Sequence, residues 1–393
     1  MIGEIVKFDN LGRGILYDND KITFISKCVP GDVIEYDIVK STKSYNIGKL
    51  IRVIIPSKNR ITPKCPFFDN CGGCELQHIS YKDTIEYKES NIRYLLNKHN
   101  INCELSIIKN PQPFNYRNKV TLKIVDGKIG FYESKSNTIV SINECLLASK
   151  SINDVISNID KLNIKNGIVT IRSNELNEIL LVINTLGIVN LNNLNTNIIG
   201  VVINDKLCYG VDTINEVING ITYQTSYNSF FQVNPYITSL LFNIIKDNIY
   251  SDNILDLYCG VGAITLQVAS KCKKVTGVEI VDNAIKNAKH NAKINNINNV
   301  DFILSDSTKA VKELENNYNT IIVDPPRSGL TKEVCNYLSN SNAKRIIYVS
   351  CNPQTLFRDL DLLKEKYEVN KYYLCDMFSY TAHVECVCIL DKY

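Results

Sequence analysis

Cys351 closes the run Arg345-Ile-Ile-Tyr-Val-Ser-Cys351, which is rich in β-branched residues. Ile346 to Ser350 reads as a buried strand of a parallel sheet. Asn352-Pro353 breaks that strand, and from Gln354 to Lys366 apolar residues fall at Leu356, Leu360 and Leu363, which is helical spacing. Cys351 is therefore expected at the carboxyl edge of a sheet, where open α/β sheets bind ligands. A helix N-terminus beside it would favour the thiolate, the nucleophilic form. Most free cysteines are merely small buried apolar residues, so Cys351 needs partners to be read as reactive. One candidate is in His383-Val-Glu385, just ahead of a terminal apolar strand. A carboxylate there is usually a surface group, but beside a nucleophilic thiol it serves as a general base.

A second group of thiols lies in Cys65-Pro-Phe-Phe-Asp-Asn-Cys71-Gly-Gly-Cys74-Glu-Leu-Gln77-His78. Gly72-Gly73 lets the backbone fold tightly around a ligand. A closed four-coordinate site needs a fourth ligand, for which Cys145 is the best candidate. Four thiolates suit zinc or an iron–sulfur cluster. The spacing is not that of radical enzymes, so no radical chemistry is read here.

A third group is Asp256-Leu-Tyr258-Cys-Gly260-Val-Gly262, read as strand, glycine loop and helix, with the strand Val275-Thr-Gly-Val-Glu279 after it. Glu279 can bond a ribose diol, as in dinucleotide sites. The loop lacks the third glycine of a pyrophosphate turn, and Asp256 precedes it. That pattern suits S-adenosylmethionine, which has an ammonium and no pyrophosphate. Thr320-Ile-Ile-Val-Asp324-Pro-Pro-Arg327 is a further strand ending in a carboxylate at the same edge.

These residues need a scaffold, and 393 residues allow two or three domains. Hydrophobic content of 45% and charged content of 22% are those of an ordinary globular protein. No apolar run is long enough to span a membrane, and Met1-Ile-Gly-Glu-Ile-Val-Lys7 has no signal-peptide core, so a cytoplasmic location is expected. In that compartment 14 cysteines are not a disulfide framework. A net charge of +3 is too small to argue for nucleic acid; basic stretches such as Lys40 to Arg52 are commonly solvated faces.

Residues 1–56 read as short strands with turns at Gly12-Arg-Gly14, Asn19-Asp20 and Pro30-Gly-Asp32, suggesting an OB-type β-barrel. Such barrels often bind single-stranded nucleic acid. Residues 57–220 are expected to form a central α/β domain, with a helix over Ser80 to Asn100 and a hairpin over Asn115 to Tyr132 whose Arg117 and Lys119 are candidates to face RNA phosphates. Residues 221–393 open with Phe231-Gln232-Val-Asn234-Pro and a long helix from about Tyr236, then carry the glycine loop. The fold class is α/β, with a C-terminal Rossmann-like domain.

Taken in order, these motifs resemble the RNA uracil-5-methyltransferases that carry a TRAM domain and an iron–sulfur cluster. The resemblance covers nearly the whole chain: Leu11-Gly-Arg-Gly14, the Cys65 to His78 segment, Phe231-Gln-Val-Asn234, Asp256 to Gly262, Asp324-Pro-Pro-Arg327, Ser350-Cys-Asn-Pro353 and His383-Val-Glu385. It departs at Ser379-Tyr380, where the family usually has Pro-His. The resemblance implies Cys351 as nucleophile and Glu385 as base, and Gln232, Tyr258, Glu279 and Asp324 as contacts to S-adenosylmethionine. It also implies a 4Fe–4S cluster on Cys65, Cys71, Cys74 and Cys145 that is structural or positions RNA. The implied substrate is a uridine of 23S rRNA, the target of most of the cluster-bearing branch. Alternatives are a transfer-RNA uracil methyltransferase, an amino-group methyltransferase, which has no use for Cys351 or Glu385, and an RNA-binding protein with a dead catalytic domain. The protein is expected to act as a monomer, its barrel adding RNA affinity and not chemistry, since every candidate catalytic residue lies after residue 230.

Overall fold

The computed structural model describes residues 1–18, 21–134, 136–191, 197–250 and 252–393. The turn expected at Asn19-Asp20 lies outside the described residues.

The largest sheet has eight strands, in the order Val300–Leu304, Lys274–Glu279, Asn253–Leu257, Thr320–Val323, Arg345–Ser350, Glu385–Lys392, Tyr367–Cys375 and Glu104–Ile108. The first five are parallel, and Glu385–Lys392 runs antiparallel between its two neighbours. Both faces of the sheet are covered. Ile346 and Tyr348 enter one hydrophobic core, while Ile347 and Val349 enter the other. That is why the expected strand is a continuous apolar run rather than an alternating one.

The edge strand Glu104–Ile108, parallel to Tyr367–Cys375, comes from far earlier in the chain. The helix Tyr81–Lys98 leads to it and packs Ile92, Leu95 and Leu96 into the core beneath Tyr348 and Leu356. Ser80 caps this helix by accepting from Asp83 N.

A second sheet of seven strands spans Lys119 to Gly210, with Lys119–Val125 and Lys128–Tyr132 forming the expected hairpin. Asp126 and Gly127, at φ 50° and 76°, make its two-residue turn. Residues 1–55 form a six-stranded sheet whose two longest strands, Val33–Ser41 and Tyr45–Ile55, shift register at three places. Such bulges coil a sheet, and this one closes over Ile5, Leu16, Ile25, Ile34 and Tyr36. Among the described residues no helix is long and apolar enough to cross a membrane.

Candidate active site

Ser350 pairs with Cys386 in the last rung of the antiparallel ladder, and Cys351 and Glu385 flank that rung, one on each chain. Cys351 thus ends its strand where Glu385 begins its own. Asn352 then caps the helix Pro353–Leu363 by accepting from Gln354 N, and its side-chain amide donates to Arg327 O at 2.9 Å. That bond brings the Asp324-Pro-Pro-Arg327 loop over the thiol. The Arg327 guanidinium is within hydrogen-bonding reach of Cys351 and also faces Glu385, which in turn faces Asp324.

The electrostatics correct one expectation. Burial pushes the Cys351 thiol up rather than down, and the Glu385 and Asp324 carboxylates add to this, while Arg327 opposes it. Of the helix N-terminal amides, Gln354 N is already taken by the Asn352 side chain. Glu385 is fully buried, and burial, then the Asp324 charge, drive its carboxyl far above the usual carboxylate range. Asp324 is itself pushed up to about 7 by burial and by Asp256. Sequence reading named Arg327 only as part of a motif; its guanidinium opposes the raised pKa values of both Cys351 and Glu385.

A cavity of about 230 Å³ opens beside Cys351, with Arg327, Gln354 and His383 in its wall. Its far side is formed by Asn10 and Leu11 of the N-terminal sheet. The N-terminal sheet, expected to add RNA affinity and not chemistry, therefore lines the same cavity as the thiol.

Glu385 is preceded by a heavily fastened loop. Asp376 accepts from Lys88, Tyr81 and Ser379, and Asn110 Nδ2 donates to Ser379 Oγ at 2.9 Å. Asn234 Nδ2 donates to Met377 O, and Tyr380, at φ 60°, stacks on Phe114 at 4.6 Å. The departure at Ser379-Tyr380 is thus built into the packing.

The proposed cofactor contacts spread along the same sheet edge. Gly260 N donates to Glu279 Oε2 at 3.1 Å, and Ile280 N and Val281 N donate to its other oxygen. Ile280, 61% exposed, is an apolar neighbour that sequence reading passed over. A Cβ on Gly260 would meet nothing within 4 Å, so that face of the loop is open, whereas one on Gly262 would press on Ala288 and Phe302 at 3.2 Å. Asp256 accepts from Thr265 at 2.5 Å, but its Oδ1 is buried without a partner, and burial pushes the carboxyl up to about 7. A buried orphan acceptor beside an open glycine loop fits the ammonium and ribose of S-adenosylmethionine. Tyr258, half-buried at φ 67°, sits in the same loop. Gln232 is fastened from the central sheet: Asn118 N donates to Val233 O, and Asn118 Nδ2 to Glu216 and to Gln232 O.

Cys65, Cys71, Cys74 and Cys145 line one cavity of about 130 Å³. Among the described residues no three His, Cys, Asp or Glu are gathered as for a single metal ion. Gly72 N donates to Tyr132 O, and a Cβ there would lie 2.8 Å from that oxygen, which explains the glycine. Cys145 N donates to Asn153 Oδ1 at 2.8 Å. Arg117, a candidate either to face RNA or to be a solvated edge charge, turns instead into this cavity with its Nε buried and unpaired; burial works against its charge, while the Tyr116 hydroxyl and the Cys74 and Cys145 thiols favour it. Lys119, its partner in that expectation, is half-buried, and burial lowers its pKa. Lys27 Nζ donates to the carbonyls of Cys71 and Cys74. Two cations and a spaced ring of thiols suit an anionic cluster larger than one ion. The segment is tied to the active site: Leu76 N donates to Tyr380 O and Ala382 N to Glu75 Oε2.

Residues 182–393 match the family model described as tRNA (Uracil-5-)-methyltransferase. An uncharacterized RNA methyltransferase of Clostridium tetani is 34% identical over 97% of this chain and 94% of its own. One of Clostridium acetobutylicum is 33% identical over 98% and 95%. Among solved structures, the Pyrococcus abyssi tRNA (uracil-54, C5)-methyltransferase in complex with S-adenosyl-L-homocysteine superposes with a TM-score of 0.82, at 27% identity, over 99% of this chain and all of that one.

Proposed function

The chain belongs to the tRNA (uracil-5-)-methyltransferase family, and from that premise we propose that it methylates C5 of one class of uridine in 23S rRNA through a covalent Cys351 adduct. The observation that carries this is the meeting of Cys351, Glu385 and Arg327 where the Arg345–Ser350 and Glu385–Lys392 strands adjoin. An amino-group methyltransferase has no use for either residue.

Uracil C5 is a poor nucleophile. Addition of the Cys351 thiolate to C6 forms the S–C6 bond and pushes the ring electrons toward O4, giving an enolate with nucleophilic C5. Arg327 stabilises the thiolate before attack. Gln232, Tyr258, Glu279 and Asp324 would hold S-adenosylmethionine, whose S–CH3 bond would break as C5 takes the methyl group, leaving S-adenosylhomocysteine. Glu385 then takes the C5 proton in its ionised form, which the Arg327 guanidinium favours against burial and the Asp324 charge. The electrons of that bond re-form C5=C6 and expel Cys351 as thiolate. The target uridine has to leave its stack to reach the thiol.

In this reading residues 1–56 are an OB-type (TRAM) RNA-binding barrel, residues 57–220 carry a 4Fe–4S cluster on Cys65, Cys71, Cys74 and Cys145, and residues 221–393 bind the cofactor. The second unit lends helix Tyr81–Lys98 and strand Glu104–Ile108 to the third. The protein works in the cytoplasm as a monomer. Similarity to the Pyrococcus abyssi enzyme favours transfer RNA as a second reading. Unmodified 23S rRNA and unmodified transfer RNA, each incubated with the protein and methyl-labelled S-adenosylmethionine, decide between them. Label in 5-methyluridine of 23S rRNA alone is expected; label in transfer RNA alone transfers the proposal to the second substrate, and label in neither rejects both.

A further inference from the structure

Leu11 is 49% exposed, yet it lines the cavity that holds Cys351. It sits on a turn that is held unusually firmly. Asp9 Oδ1 accepts from Leu11 N at 2.9 Å and from Arg13 N at 2.8 Å, and Gly12 N donates to Asp9 O at 3.2 Å. Tyr87 of the long helix donates to the same carbonyl at 2.9 Å. Gly12, at φ +73°, is pressed so close to the Cys-rich segment and to the loop before Glu385 that a Cβ would lie 3.1 Å from Glu75 and 3.4 Å from Ala382. A large apolar side chain on a loose loop folds back onto the surface. Here the backbone is docked on three elements and the side chain is left out at the rim.

The turn is not a phosphate clamp. Its one cation, Arg13, is committed to Asp9 at 2.7 Å and lies over the Phe24 ring. Beyond the turn, a groove of about 780 Å³ shares Asn10, Asn91, Leu95 and Gln354 with the Cys351 cavity. Its wall sets Asp9, Asp83 and Glu86 against one cation, Lys7, a balance that disfavours phosphate, and the exposed Tyr94 ring lies there too. This edge therefore suits a base better than the sugar–phosphate backbone.

We propose that Leu11 is the wedge that fills the gap left in the RNA stack when the target uridine turns into the Cys351 cavity. This rests on the uracil reading of that site. Extruding a base costs stacking energy, and apolar side chains inserted at the vacated step offset that cost in other base-unstacking proteins. The N-terminal sheet thereby takes part in opening the substrate as well as in holding it.

The test compares Leu11→Ala and Leu11→Met with the wild-type protein on the accepted RNA and on a short unstructured oligoribonucleotide carrying the same uridine. The wild-type preference, as kcat/KM, for folded over unstructured RNA should fall about ten-fold in Leu11→Ala and be largely restored in Leu11→Met, as a lost wedge requires. A 2-aminopurine placed beside the target uridine should brighten on binding wild-type protein and less on binding Leu11→Ala. An unchanged preference together with unchanged brightening overturns the wedge. Wild-type protein that methylates neither RNA removes the uracil reading instead, which separates the two failures.

Discussion

Lys88 Nζ lies 2.6 Å from Asp376 Oδ1, with both side chains wholly buried. The pair joins the middle of the long helix to the loop that delivers Glu385. Lys88 also donates to Phe378 O at 3.0 Å, and Asp376 collects Tyr81 and Ser379. Removing one partner of such a pair leaves a buried charge without compensation. Lys88→Met should therefore destabilise the protein by about 3–5 kcal/mol, read in a denaturant titration. Lys88→Met combined with Asp376→Asn should recover much of that loss. A single variant within experimental error of wild type would mean that the pair is dispensable.

Cys351 and Glu385 should fail differently. Cys351→Ala abolishes both the RNA adduct and 5-methyluridine, since no enolate forms. Glu385→Gln retains nucleophile and cofactor site, so it adds to C6 and transfers the methyl group but cannot remove the C5 proton. A denaturation-resistant protein–RNA adduct carrying labelled methyl should accumulate in Glu385→Gln alone. Methyl transfer by Cys351→Ala would reopen the amino-group mechanism.

The rate of adduct formation should rise with pH. The Cys351 thiol is raised by burial and by Glu385, so the thiolate is the minor form at neutral pH and grows as pH increases. Its midpoint should lie above that of an ordinary thiol. Because Arg327 lowers this pKa and Glu385 raises it, Arg327→Ala should move the midpoint up and Glu385→Gln should move it down. Rapid-quench measurement of adduct from pH 6 to 10 reads both shifts; movement in the same direction would contradict the charge arrangement.

Anaerobically purified protein should be brown and hold about four irons per chain, as a four-thiolate cubane requires. Removing the iron should loosen the path from the Cys-rich segment to the base. Hydrogen exchange at Leu76 and Ala382, whose amides bond Tyr380 O and Glu75, should speed up, while exchange in Arg345–Ser350 should change little. Stoichiometric zinc without visible absorbance would reject the cluster.

Much of this was legible locally. Strand Arg345–Ser350, helix Pro353–Leu363 and the hairpin at Asp126-Gly127 follow from apolar runs, caps and turn residues that lie next to one another in the chain. The thiol pKa departs from expectation because a helix N-terminus is visible in sequence, whereas burial and the Glu385 and Asp324 charges come from elements remote in the chain. Arg117 was placed outside because alternation in a hairpin says which residues share a face, not which face a third segment covers. Glu104–Ile108 carries too short a pattern to stand alone, and its partner Tyr367–Cys375 is remote in the chain. Leu11 looked like one residue of a turn, because nothing local says that a turn in the first sheet abuts the last.

That remote edge strand has a consequence for how the enzyme comes into being. Glu104–Ile108 leaves the ribosome early but cannot find its partner until Tyr367–Cys375 has been made, and the antiparallel Glu385–Lys392 must still slip in between that partner and the nucleophile's strand. Contacts of such long sequence separation form slowly. The first half of the chain therefore waits, with Ile92, Leu95 and Leu96 unburied, for its last residues. A separately expressed 221–393 fragment would bear every proposed catalytic group and still lack the cover of its own sheet.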